Sequence, residues 1–123
     1  MRSIQIKTAT AYDVDPVVNA IALAFSADPV AQWFFPEPQQ HLQYFPGFVK
    51  AFAGAAFEHG SGDCVEDFWG AALWLPPGVH ADEEALFTLL LEAIPERNQA
   101  EVFALLEQMD HKRPVEPHWY LPM

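Results

Sequence analysis

The residues able to do chemistry in this chain are few and dispersed. Five histidines stand at positions 41, 59, 80, 111 and 118. No two of them have the i, i+4 spacing with which a metalloprotease helix presents a pair of imidazoles, so no metal site is expected. His59 and His111 fall where helices end, a position that suits an imidazolium facing the helix dipole. His118, set among aromatics, is the one candidate for acid–base work, weighed against a packed or surface ring. The single cysteine, Cys64, can neither close an internal disulfide nor build a thiolate zinc set. It reads as a buried thiol on a strand. Neither a Gly-x-Gly-x-x-Gly loop nor a Gly-x-Ser-x-Gly elbow occurs. Clustered glycines, which let backbone amides approach a phosphate, are therefore missing.

The chain has 123 residues, 51% hydrophobic and 19% charged, which suits one small globular domain. Six Lys and Arg against seventeen Asp and Glu give a formal charge of -11. Phosphate backbones and anionic bilayers both call for a cationic footprint, so neither nucleic acid nor membrane is an expected partner. Gln5 and Lys7 interrupt the first apolar residues, and no leader is expected. The longest apolar runs are too short to span a bilayer. With one cysteine, a reduced, cytoplasmic setting is expected. The acids beyond residue 81 read as solvated helix faces.

Periodicity supplies the elements. Ile4 and Ile6 alternate with Gln5 and Lys7, as in a first strand with one buried face. Thr10 to Asp13 resembles a capping box opening a helix, on which Val14, Val17, Val18, Ile21 and Phe25 share one face. Asp28-Pro29 ends that run, and Val30 to Phe35 is too brief for more than a turn or an ordered loop. Leu42, Phe45, Phe48, Val49, Phe52 and Ala56 mark a second helix, with Pro46 inside it and His59-Gly60 closing it.

Asp63 to Glu66 and Trp69 to Leu75 read as two strands around a tight turn at Asp67-Phe68. The second is apolar on both faces and is expected at the sheet centre, covered on both sides. Asp82-Glu83-Glu84 opens a helix carrying Leu86, Leu89, Leu90 and Ile94. Beyond Pro95 lies another, with Val102, Leu105, Leu106 and Met109. Pro117 to Met123 is a closing, strand-like aromatic segment. This order predicts an α+β domain over residues 1–123, a mostly antiparallel sheet with helices packed on it.

Four segments, in order, resemble the N-terminal half of the GNAT superfamily of N-acetyltransferases. They are Ile6 to Asp13, Ala24 to Pro29 with Trp33-Phe34-Phe35-Pro36, Gly70 to Gly78, and Glu116 to Leu121. The resemblance implies a partial GNAT-like fold and acetyl transfer from acetyl-CoA to a small-molecule or peptide amine. By that analogy Asp28 and Trp33 wall the acceptor pocket, Trp74 and Tyr120 face it, and the backbone of Met123 begins the contact with the acetyl group and pantetheine arm. No catalytic base is assigned.

In the family, the fourth strand leads into a glycine-rich loop whose amides hold the coenzyme pyrophosphate. The 123 residues contain no such loop, so this chain alone is expected to be inactive. Self-association through the C-terminal strand is expected. The alternative is a non-catalytic interaction module that pairs through an open sheet edge.

Overall fold

The computed structural model describes residues 4–123. Three short strands, β1 (Ile6–Thr8), β2 (Gly62–Val65) and β3 (Ala71–Leu73), form an antiparallel sheet in the order β1-β2-β3. Between β1 and β2 come α1 (Val14–Ala24), α2 (Pro29–Phe34), α3 (Pro38–Ala53) and α4 (Ala55–Glu58). After β3 follow α5 (Glu83–Ala93) and α6 (Glu96–His111). This is an α+β fold, with helices packed on one antiparallel sheet.

Local chemistry accounts for most boundaries. Thr10 and Asp13 form a capping box around a single 3-10 turn, Ala11–Asp13, that leads into α1. Asp28 caps α2, which runs longer than the single turn that its flanking prolines suggest. Proline at the first helical position and a carboxylate cap together start a helix that length alone does not favour. Pro46 sits inside α3, where the Leu42 carbonyl it leaves free can reach water, because Leu42 is exposed. Gly54 separates α3 from α4, since a Cβ there would collide with the Lys50 carbonyl. Gly60, at φ +63°, takes the left-handed turn that brings the chain into β2.

The core is mostly aromatic. Phe34, Phe35, Phe45 and Phe48 are buried and meet ring to ring in tilted, edge-on and stacked pairs, tying α2 to α3. Val17, Val18 and Ile21 of α1 and Leu86 and Leu90 of α5 join them, with α3 packed between those two helices. His41 lies in this core, stacked on Phe45 at 4.5 Å, with ring Nε2 2.8 Å from the Ala22 carbonyl. An imidazole bonded in this way is a packing element.

Two sequence expectations for the sheet need correction. Ile4 and Ile6 do not face the core: they are 75% and 72% exposed. Lys7 takes the helix-facing side of β1, held by Asp13 at 3.3 Å and lying over the Phe68 ring. Nor is Trp69 to Leu75 covered on both faces. Leu73 and Leu75 are buried, but Ala71, Ala72 and Trp74 are half-buried and Trp69 is 87% exposed. Regular pairing in this run is confined to Ala71–Leu73, because Asp67 and Phe68 adopt left-handed backbone angles that turn Trp69 outward. Met109, expected on the buried stripe of α6, is also exposed.

The closing segment lies along the free side of β3. Leu75 pairs with Tyr120, and the Met123 carbonyl accepts from the Leu73 N–H at 2.8 Å. It forms a single bridge where a longer strand is expected, since Pro117 and Pro122 have no amide hydrogen to donate.

Candidate functional site

The Leu75–Tyr120 bridge determines where a cleft beside the helices lies. Directly opposed residues on antiparallel chains share a face, so Tyr120 points with Leu75 toward the helices. There it closes a cleft of about 310 Å³ between α5, α6 and Phe52 of α3. The floor is apolar, built from Phe52, Leu86, Leu90, Phe103 and Leu106. The rim is charged: Glu83 at the start of α5, Glu107 and Asp110 on α6, then Arg113, with His80 alongside.

Arg113 is already engaged. Its guanidinium carbon sits 4.1 Å from the Tyr120 ring centre, and Nη1 is 3.6 Å from Asp110 Oδ1. Its Nε is buried with no hydrogen-bond partner. Of the three rim carboxylates, Asp110 faces Arg113, and Glu107 Oε1 lies 3.9 Å from His111 Nε2. A ligand with an apolar body and a cationic end complements both floor and rim.

The expected site residues do not converge here. Asp28 spends its carboxylate on α2, accepting from the Val30 and Ala31 amides, each at 3.0 Å. Trp33 lies edge-on to Phe34 and lines a different groove, between α2 and the start of α6. Trp74 follows Leu73 and precedes Leu75, both buried on the helix side, so it projects from the opposite face. Of the four residues assigned to the acceptor side, Tyr120 alone lines the cleft. The cleft acids escaped sequence reasoning because each reads as a solvated helix position. The available signal was Phe103, Glu107 and Asp110, which follow at i+4 and i+3 and so mix an aromatic with two acids on one stripe.

Two other chemical candidates lie outside the cleft. His118 Nδ1 lies 2.8 Å from the Glu116 carbonyl, and its Nε2 is buried without a partner. Cys64 is buried, and desolvation pushes its thiol above the ordinary value, so it stays protonated and unreactive at neutral pH. Among the described residues, no group of three His, Cys, Asp or Glu could hold a metal ion. No helix among them is long and apolar enough to cross a membrane.

The residues present do not fit the pyrophosphate of acetyl-CoA. Asp28 and Asp82 cap the N-termini of α2 and α5 with their carboxylates, and Glu37 and Glu96 stand at the starts of α3 and α6, so each of these ends carries an acid that repels an anion from its amides. The Met123 carbonyl, expected near the coenzyme, bonds to Leu73. Comparison with protein families, with curated proteins and with solved structures gives no match.

Proposed function

We propose that this chain carries the acceptor side of a GNAT-type N-acetyltransferase, with the cleft against Tyr120 receiving the amine. The observation that carries this reading is the cleft itself, an apolar floor rimmed by Glu83, Glu107 and Asp110 with Arg113 already paired. Such a rim retains a protonated amine and disfavours an anion. The resemblance of four ordered segments to that superfamily supports the choice of reaction. Those segments carry β1 with its capping box, the α1–α2 junction, β3 and the chain paired beside it.

The amine would bind as an ammonium ion, its apolar body against Phe52 and Leu106 and its charge toward Asp110 and Glu107. The coenzyme half of the reaction lies outside what these residues provide. A chimera tests the reading: residues 1–123 joined to the coenzyme-binding half of an established GNAT enzyme, assayed for thiol release from acetyl-CoA with a panel of arylalkyl amines. Amine-dependent release is expected from the chimera, and background release from the 123-residue chain. A folded chimera that binds acetyl-CoA yet acetylates none of the amines would remove the reading.

A further inference from the structure

The middle strand, β2, has two unlike faces. Gly62 and Cys64 turn toward the helices and are buried. Asp63 and Val65 alternate onto the other side. The register sets Ile6 beside Val65, and Thr8 and Ala72 on either side of Asp63. Trp74, two residues beyond Ala72, shares that side, and Leu121 reaches it by alternation from Tyr120. This outer face is open: Ile6 is 72% exposed and Leu121 46%. Past the hairpin, Ile4, Val65 and Trp69 line a groove of about 310 Å³, with Glu66 and Asp67 at its rim.

We propose that this outer sheet face docks an amphipathic helix of a second, different polypeptide, one whose apolar stripe is flanked by lysine or arginine. A sheet face that remains in water is normally polar, alternating with the buried one. Here its Ile, Val, Ala and Trp side chains form an apolar patch, the mark of an interaction surface. Charge selects the occupant. Asp63 stands at the centre of the face and Glu66 and Asp67 at its rim. The cation on β1, Lys7, points to the opposite side and is paired with Asp13.

Among the described residues the face offers carboxylates and no cation, and a cationic occupant complements them. A second copy of this chain would bring the same acidic face. Face-to-face pairing would bury Asp63 without a counter-charge and bring together two chains of formal charge -11. Three strands and the closing segment, spaced about 4.8 Å apart, present a surface wide enough for one helix about 10 Å across. This inference is independent of what the cleft binds.

The test uses the 123-residue chain and two synthetic helical peptides with the same leucine stripe, one flanked by lysine and one by glutamate. Calorimetry should give at least about tenfold tighter binding of the lysine peptide. Amide shifts should map to Ile6, Asp63, Val65 and Ala72. Asp63→Lys, at an exposed position that leaves the thermal melt unchanged, should erase or invert the preference. Ile6→Ser should weaken binding of the lysine peptide. Equal affinity for the two peptides, or a preference untouched by Asp63→Lys, overturns the proposal. So do shifts confined to the cleft, or a sedimenting dimer that protects Ile6 and Ala72 from exchange.

Discussion

Leu75 and Tyr120 exchange both backbone hydrogen bonds, the Leu75 N–H donating at 2.7 Å and the Tyr120 N–H at 3.0 Å. The position of the aromatic wall of the cleft is thus set by main-chain pairing. Its ring is then held by Arg113 stacked against it. Two segments separated by the whole of α5 and α6 meet at this pair, and the cleft is the space those helices leave against it.

Leu73 tests the architecture beneath that wall. It is 0% exposed and sits between β2 and the closing segment. Leu73→Asp should place a carboxylate among buried apolar groups, costing roughly 3–5 kcal/mol, comparable with the whole stability of a small domain. Loss of the cooperative thermal transition is expected. A Leu73→Asp protein that melts like the parent would show that β3 is peripheral.

Asp28 is assigned to capping, which separates stability from binding. Asp28→Ala should destabilise the fold by about 1 kcal/mol, because the Val30 and Ala31 amides lose their acceptor. Asp28→Ser should recover most of that, since serine also caps. Neither change should alter the affinity of the cleft for an amine. If serine restores stability but binding remains lost, Asp28 is a ligand-contacting residue after all.

Asp13 gives the fold an acid-sensitive element. The Thr10 backbone N–H, at 2.8 Å, is the main reason its carboxyl lies below the ordinary value of 3.8. Burial opposes that shift, while the Thr10 hydroxyl and Lys7 reinforce it. A carboxyl depressed in the folded state adds stability that is fully present above its unfolded value and disappears as pH falls through the folded one. Denaturation at a series of pH values should therefore show the parent's advantage over Asp13→Asn shrinking from about pH 5 downward. An advantage that is constant across that range would contradict this assignment.

Helices and caps were legible in the sequence because both are local. Val14, Val17, Val18 and Ile21 fall on one face of α1, and Thr10 with Asp13 announces its start. The sheet was less legible. Alternation at Ile4 and Ile6 shows that β1 has two faces, but which face is covered depends on where distant helices pack. Those helices lie on the side of Lys7 and Cys64. Trp69 shows the same limit, since its apolar neighbours suggest burial and the turn at Asp67-Phe68 removes it from the core. The cleft was hidden for a related reason. Glu107 and Asp110 become a binding rim only because Tyr120, outside their helix, folds back beneath them.

The most direct test of the central claim is an NMR titration of the 123-residue chain with 2-phenylethylamine, 2-phenylethanol and 3-phenylpropionate, which share an apolar body and differ in charge. Saturable binding of the amine is expected, with shifts at Phe52, Leu106 and Tyr120, and binding at least about tenfold weaker for the alcohol and the acid. The paired substitution Glu107→Gln and Asp110→Asn should abolish that preference without lowering the thermal midpoint by more than a few degrees. Equal binding of all three compounds, no saturable binding of the amine, or amine-induced shifts lying outside the cleft would contradict an amine-binding acceptor site.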